Sequence, residues 1–220
     1  MRRLAVSPIC ARLSRAAVAA TVLAVLLAGP TLSAPEDHRA SSPVGTAAVY
    51  AADRITPVPG AWSLLDRTPS GLTMVIHAVG LAPGHAYAVW WVVFNDPAFC
   101  AHASIGTGAR CGNEDLPANE GDPRVQATMA YATGHVVDGA AGVRTTDFAA
   151  WLPADSWSLA AFGPGLIDPV GAEVHLLVAD LGPVDAVLDA NQLRARARVD
   201  DCAGTPSVAC APAQISFQIP

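Results

Sequence analysis

The feature that most constrains the fold is an apolar stretch from Gly71 to Asn95, which a single turn interrupts. It reads GLTMVIHAVGLAPGHAYAVWWVVFN, with the apolar runs Leu72–Val79 and Ala86–Phe94 on either side of Gly80–Gly84. Short runs rich in β-branched and aromatic residues are typical of strands. Pro83 fixes φ and the glycines tolerate positive φ, which indicates a turn. The stretch therefore predicts a β-hairpin at the centre of the core.

Neither run alternates cleanly between apolar and polar residues, so both faces of this hairpin need cover from other parts of the chain. Trp90 and Trp91 are adjacent, and successive side chains of a strand point to opposite faces. We expect one ring to enter the core and the other to fill the second face or line a surface.

The rest of the chain contains further short runs with strand character, separated by turns. The high Gly and Pro content, 18 of each, agrees with a loop-rich all-β domain. The sequence predicts an all-β fold, an immunoglobulin-like β-sandwich of about seven to nine strands with one short helix near the C-terminal end. The additional segments are the strands Ala61–Arg67, Val125–Val137 (with Gly134 as a bend or bulge), Val143–Leu152, Ser156–Phe162, Glu173–Ala179 and Gln214–Ile219, and the helix Val184–Arg196.

The N-terminal segment predicts export. Basic residues precede the uncharged run AAVAATVLAVLLAG, and small residues follow it, which is typical of a secretory signal peptide over residues 1–34. The run is shorter than the ~20 residues of a membrane span, although an uncleaved anchor is the alternative. Residues 35–60 then form a flexible or partly strand-forming lead-in, and residues 61–220 a single domain. We expect a secreted, periplasmic or otherwise extracytoplasmic protein with no stable membrane span after cleavage.

The charge of the chain excludes several classes of function. All thirteen basic residues are Arg, which removes Schiff-base lysines and the P-loop lysine. Without residues 1–34 the chain has nine Arg against nineteen Asp and Glu, a formal charge of −10. An acidic protein of this kind is not expected to bind nucleic acid.

Four cysteines remain after the predicted signal peptide, and an even number in an exported chain indicates disulfides. Three connectivities are open, and the spacing favours Cys100–Cys111 with Cys202–Cys210. A zinc site is the rival interpretation, but no Cys-x-x-Cys occurs and only His102 lies near a pair.

Three histidines lie in or at the edge of predicted strands: His77, His135 and His175. If their strands are neighbours, the imidazoles could bind copper or zinc. The alternative for each is a structural histidine with a hydrogen-bonded ring. Serine chemistry has less support, because no Gly-x-Ser-x-Gly occurs. We therefore predict no catalytic residues, although a triad assembled from distant segments stays open.

Several motifs resemble known proteins. The turn GLAPGHAY (80–87) is similar to a turn of fibronectin-type and other immunoglobulin-like domains. The segments WWVVFN (90–95), YATGHVV (131–137), FGPGLIDP (162–169) and AEVHLLV (172–178) resemble a family of secreted bacterial β-sandwich proteins, over roughly residues 62–218. The resemblance implies an exported sandwich without known catalytic residues. Asp180 departs from it, since such proteins tend to carry a basic residue after the strand that bears the histidine.

The first hypothesis is therefore an exported, non-catalytic, disulfide-stabilised β-sandwich that acts as a binding, envelope or extracellular module. The alternatives are a copper- or zinc-binding protein that uses the strand histidines, and a hydrolase whose site the sequence does not reveal.

Overall fold

A computed structural model describes residues 44–104, 106–137, 145–184 and 211–220. All of them fall in one unit of the chain, Arg39–Pro220. The strands are β1 Gly45–Ala51, β2 Pro57–Thr68, β3 Gly71–Val79, β4 His85–Phe94, β5 Ala127–Val136, β6 Thr145–Pro153, β7 Ala160–Phe162, β8 Glu173–Pro183 and β9 Ala211–Gln218. Short 3₁₀ helices occur at Pro97–Phe99, Asn113–Asp115, Pro117–Asn119, Pro123–Val125 and Trp157–Leu159.

The strands form one sheet in the order β6-β3-β2-β1-β9-β8-β4-β5-β7, and every neighbouring pair is antiparallel. The sheet curls, so that the half with β2, β3 and β6 packs against the half with β4, β5 and β8. The curled sheet confirms the predicted all-β, sandwich-like class. The shared apolar interior is called the inner core below.

The prediction of a hairpin between the two apolar runs is wrong. β3 pairs with β2 and β6, whereas β4 pairs with β5 and β8, so the two strands lie in opposite halves of the sheet. They meet face to face in the inner core instead of edge to edge. Gly80 and Gly84 have positive φ, and the Ala82 N–H donates to the Tyr87 hydroxyl at 2.8 Å, so the turn crosses between the layers. Two apolar runs and a turn fit either arrangement equally well, which is why the sequence did not distinguish them.

β4 is buried on both faces, and its two tryptophans point in opposite directions, as predicted. Trp91 lies in the inner core and Trp90 in a second apolar cluster on the other side of the strand, each only 1% exposed. Burial of a ring of this size contributes on the order of 3–5 kcal/mol to stability. The two rings therefore fix β4 between two layers.

The second face of β4 is covered by the connection between β4 and β5, residues 95–104 and 106–126, here called the loop layer. Cys111, Leu116 and Val125 of this layer pack in the same cluster as Trp90. Loops of this length are uncommon in compact domains unless they have a structural or functional role. Here the loop layer covers the face that a second sheet would otherwise cover.

Several predicted boundaries shift in the structure. β1 lies within the proposed lead-in and pairs with β2 and β9, so the sheet begins before residue 61. The irregularity of β5 is at Ala132, which has no partner where the register shifts, and not at Gly134, which pairs with Ala88. The segment predicted as a strand over Ser156–Phe162 is a 3₁₀ turn followed by β7. The predicted helix beyond residue 184 and the signal peptide lie outside the described residues.

A buried arginine ties the end of β2 to the opposite half of the sheet. The Arg67 guanidinium, 4% exposed, donates to the carbonyl oxygens of Pro169 (3.0 Å), Ala172 (2.7 Å) and Gln218 (3.0 Å). Burial lowers the pKa of this guanidinium, an effect that the carboxylates of Asp168 and Glu173 oppose. An arginine nevertheless keeps its charge at every relevant pH. Arg67 therefore joins β2 to the segment that precedes β8 and to the end of β9.

We expect Arg67→Met to lower the free energy of unfolding by about 2–4 kcal/mol, because the buried carbonyl groups lose their donor. Urea denaturation measures the change. The matched control is Arg124→Met, since Arg124 pairs with Asp122 at an exposed position and should cost no more than about 1 kcal/mol. Equal losses in the two variants would contradict the role assigned to Arg67.

Candidate functional site

Two buried carboxylates support the loop layer, one from within the layer and one from the sheet, and the first is Asp115. Its side chain accepts hydrogen bonds from the backbone N–H groups of Ala101 (2.9 Å), His102 (3.3 Å) and Gly112 (2.8 Å). Only 2% of the residue is exposed. A buried carboxylate that accepts several N–H groups satisfies backbone donors that would otherwise be lost from water. Asp115 thus organises the loop around the Cys100–Cys111 disulfide.

The second carboxylate is Glu173 at the start of β8, which is fully buried. It accepts hydrogen bonds from the N–H groups of Arg110 (2.9 Å) and Cys111 (3.0 Å) and from the His175 ring at Nε2 (2.8 Å). Burial opposes ionisation of this carboxyl, but the three hydrogen bonds outweigh it and lower its pKa. Glu173 is therefore ionised, and it connects β8 with the loop layer.

His175 lies between two aromatic rings, with centroid distances of 4.9 Å to Phe94 and 4.6 Å to Phe217. Burial lowers the pKa of this imidazole, although the hydrogen bond to Glu173 opposes the shift. The ring is therefore neutral near pH 7. An ionised carboxylate only accepts hydrogen bonds, so Nε2 carries the proton and Nδ1 presents a lone pair. Within the described part of the chain, Nδ1 has no hydrogen-bond partner.

The His175 ring lines a small, mostly apolar cavity of about 40 Å³ between the sheet and the loop layer, here called the histidine cavity. A basic residue of the β1–β2 turn, Arg54, lies at the same cavity, and its charge acts on His175. The remaining lining residues are Val92, Phe94, Gly112, Asn113, Leu116, Met129, Leu177 and Ile215.

A larger cavity of about 430 Å³, here called the polar groove, opens beside the start of the loop layer. Its charged residues are Asp96, Arg110 and Asp168, and its lining is completed by Asn95, Pro97, Ala98, Gly171, Ile219 and Pro220. The Arg110 guanidinium has no ion-pair or hydrogen-bond partner among the described residues. A concave site of this size with a few convergent polar groups is typical of small-molecule binding.

The structure does not assemble the predicted metal site. The ring of His77 lies on the outer face of β3, where Nδ1 is 2.5 Å from Asp147 and the ring stacks on Trp62. His135 is exposed on β5 beside Phe148, and His175 faces the histidine cavity. In the described ranges, these three imidazoles are not among the residues grouped within 4.8 Å of one another. Strand alternation turned them to different faces, which separation along the sequence could not reveal.

Three of the histidines pair with a carboxylate, which is an arrangement that hydrolases also use. Besides His77–Asp147 and His175–Glu173, the Nδ1 atom of His85 lies 2.9 Å from Asp180. Asp180 thus has an imidazole as its hydrogen-bond partner. No Ser, Thr or Cys side chain of the described residues hydrogen bonds to these rings. A catalytic triad needs such a nucleophile next to the base.

The Cys100–Cys111 disulfide is confirmed, with the sulfur atoms bonded and the Cα atoms 5.1 Å apart. The pair Cys202–Cys210 lies outside the described residues. Cys100, Cys111 and Asp115 form the one group of three metal-type ligands that the described segments bring together. Its two sulfur atoms are bonded to each other, and the Asp115 carboxylate already accepts backbone N–H groups. This group therefore does not support a metal site.

The sequence analysis missed the anchoring residues Glu173, Asp115 and Asn95. A signal existed for Glu173, because residues two apart in a strand share a face and Glu173 precedes His175 by two. Asn95 directly follows β4; its Nδ2 donates to Gln126 and Gly165 oxygens, and its Oδ1 accepts from the Ile167 N–H, all at 2.8 Å. Its partners lie far away along the chain, so no local pattern could indicate them.

Comparison of the chain with protein families, with curated proteins and with solved structures finds no match. The described portion of the chain contains no helix with the length and apolarity needed to cross a membrane. The two cavities and the contacts that form them are therefore the features from which a function can be inferred.

The Glu173–His175 pair predicts that stability falls in acid. A lowered pKa of His175 means that the unfolded chain takes up a proton first as the pH drops below about 6.5, which favours unfolding. Glu173 adds stability that is present above its unfolded pKa, about 4–4.5, and is lost as the pH falls through its lower folded value. We expect the free energy of unfolding to decline by up to about 1.4 kcal/mol per pH unit for each group.

Urea denaturation at about pH 7.5, 5.5 and 4 measures this decline. His175→Gln, which keeps a donor toward Glu173, should flatten the upper part of the profile. His102→Gln, at an exposed position, is the control and should leave it unchanged. If His175→Gln lost as much stability between pH 7.5 and 5.5 as the wild type, the histidine would not be the group that titrates.

Proposed function

We propose that this chain is an exported, non-catalytic β-sandwich of immunoglobulin-like type that binds a small zwitterionic ligand in the polar groove. Export is supported by the predicted signal sequence and by the Cys100–Cys111 disulfide, because disulfides persist in oxidising compartments. The observation that carries the binding role is the groove itself, a 430 Å³ cavity with a cation and two carboxylates in its lining.

The charges of the groove fit a ligand that has both signs. Arg110 offers a planar guanidinium that can pair with a carboxylate through two hydrogen bonds. Asp96 and Asp168 can accept hydrogen bonds from an ammonium group. An amino acid or a short peptide carries both groups within a few ångströms. A purely anionic ligand would be repelled by the two carboxylates, and a purely cationic one by Arg110.

The walls of the groove are held in place before a ligand arrives. The N–H of Arg110 is bonded to Glu173, so the backbone of this residue is fixed although its side chain is exposed. The Asp168 Oδ1 atom accepts from the N–H groups of Val170 (3.1 Å) and Gly171 (3.0 Å), which closes a tight turn. A preformed site loses less conformational entropy on binding. This rigidity supports a binding role over a purely structural one.

The rival functions have less support from the same contacts. A copper or zinc protein needs several ligands at one point, and the strand histidines do not converge. A hydrolase needs a nucleophile beside a base, and the histidine–carboxylate pairs have none in the described residues. The groove, in contrast, offers complementary charges without a reactive group, which favours binding.

Isothermal titration calorimetry with free amino acids and dipeptides tests the proposal. We expect Arg110→Gln to weaken binding by about 10–100-fold, because a charge-assisted pair is worth about 1.5–3 kcal/mol. N-acetylated and C-amidated amino acids, which each lack one charge, should also bind more weakly than the zwitterion.

Arg124→Gln is the matched control, because Arg124 is not among the residues that line the groove and its charge is paired with Asp122. Asp168→Asn keeps an oxygen for the turn and removes only the charge, so it should weaken the zwitterion and improve binding of acetylated amino acids. Binding that is equal in Arg110→Gln and Arg124→Gln, or no heat with any zwitterion, would refute the groove as a zwitterion site.

A further inference from the structure

We propose that the histidine cavity is a second binding site, which takes up one small monocarboxylate, of formate or acetate size, together with one proton. The site is separate from the polar groove, and the inference does not depend on the zwitterion proposal. It rests on His175 and Arg54, which lie at one cavity with mostly apolar walls. Among the described residues, the Nδ1 atom of His175 and the guanidinium of Arg54 have no hydrogen-bond partner.

The first observation is the lone pair at His175 Nδ1. The residue is 96% buried, since only 4% of it is exposed, and its other nitrogen is fixed by Glu173. Carboxylate-oriented imidazoles commonly use their second nitrogen for a ligand. The ring lines the histidine cavity, so its second nitrogen is available to an occupant of that cavity.

The second observation is the backbone conformation of Arg54. It has a φ of +63°, in the left-handed region that glycine and asparagine favour. The Arg54 N–H donates to the Ala51 oxygen at 2.8 Å, and Asp53 accepts from the N–H groups of Ile55 and Thr56 at 2.9 Å, so the turn is tight. Arginine has no local reason to occupy such a position, and strained residues of this kind cluster at ligand sites.

The third observation is that the Arg54 guanidinium has no ion pair or hydrogen bond in the described segments. A guanidinium at an apolar cavity favours a carboxylate, because the planar fork matches the two oxygens. The volume of about 40 Å³ corresponds to roughly three water positions. An occupant of three or four non-hydrogen atoms therefore fits, and its methyl group, where it has one, can contact Met129 or Leu177.

Binding of a carboxylate at His175 requires a proton on Nδ1. A carboxylate only accepts hydrogen bonds, so it cannot use the bare Nδ1 lone pair. When a solvent proton adds to Nδ1, the imidazolium donates from Nδ1 to the ligand and from Nε2 to Glu173. No other bond forms or breaks. One proton and one monoanion enter together, so the net charge of the complex equals that of the free protein.

The charged groups that act on His175 come from three elements. Glu173 on β8 and Asp115 in the loop layer favour the imidazolium, whereas Arg54 in the β1–β2 turn and burial disfavour it. A bound carboxylate adds a negative charge between Arg54 and the ring. The free site therefore stays neutral at His175, and the occupied site holds the proton.

Titration of the purified chain with acetate between about pH 5.5 and 8 tests the proposal, because linkage to one proton weakens binding about tenfold per pH unit in the neutral range. Calorimetry in two buffers of different ionisation enthalpy should report uptake of one proton. Acetamide has the same shape without the charge and should bind far more weakly. Benzoate, which is too large for the cavity, should not bind.

Arg54→Gln and His175→Gln should each reduce acetate affinity at least tenfold, and the matched control Arg110→Gln should leave it unchanged. Conversely, zwitterion binding in the groove should survive His175→Gln, so the two sites can fail independently. If His175→Gln does not fold, ¹⁵N NMR of the wild-type imidazoles replaces it, with protonation of one buried Nδ1 expected on addition of acetate at neutral pH.

Three results would overturn the proposal. One is acetate affinity that does not change with pH. Another is equal binding of acetate and acetamide. The third is a buried imidazole signal that acetate leaves unchanged, which would mean that the cavity holds water only.

Discussion

Burial of β4 on both faces is the constraint from which the rest of the architecture follows. A strand with Trp90 on one side and Trp91 on the other cannot leave either face in water without losing several kcal/mol. The curled sheet covers one face, because its two halves close on the inner core. No second sheet covers the other face among the described residues. The chain covers it with the loop layer that follows β4 directly.

A loop used as a packing layer creates an electrostatic problem, because its backbone N–H and C=O groups are not satisfied by regular pairing. Side chains of the sheet and of the layer itself satisfy these backbone groups. Glu173 and Asp115 accept N–H groups of the layer, while Asn95 donates to the carbonyl oxygen of Gln126. Such buried polar networks are favourable only when nearly every member is satisfied.

The two cavities are by-products of that solution. Anchoring Arg110 and Cys111 at Glu173 leaves the Arg110 side chain free to face the polar groove. The same carboxylate directs His175 into the space between the loop layer and the sheet. The functional candidates therefore arise where an irregular layer meets a regular one, as binding sites often do on loops that a rigid scaffold positions.

The sequence predicted the parts of this structure that local patterns determine. The strands, the all-β class, the opposite faces of the two tryptophans and the Cys100–Cys111 bridge follow from periodicity, residue type and spacing. The pairing of β3 and β4 was wrong, because a turn between apolar runs can join strands within a sheet or across two layers. The strand β1 was missed as a sheet member, since GTAAVYA is only weakly apolar.

The site was harder to predict than the fold, because it is built from contacts that are distant in sequence. His175 was selected as one of three metal ligands, whereas its partner in the structure is Glu173 on the same strand. Arg54 gave no signal, because its importance comes from a backbone angle and from the fold of β1 against β9. A charged residue that is expected to be solvated from its sequence context can thus have a role that only the structure reveals.

Because Glu173 supports both cavities, it limits which variants can test the two sites independently. Glu173 accepts the Arg110 N–H at one oxygen, and the Cys111 N–H and His175 Nε2 at the other. A substitution there removes a buried acceptor from three donors at once and disturbs both cavities through the backbone. Interactions within one hydrogen-bond network are not additive, so such a variant cannot assign a role to either site. Side chains that end in a single cavity, Arg110 for the groove and Arg54 for the histidine cavity, distinguish ligand binding from the support that both sites receive.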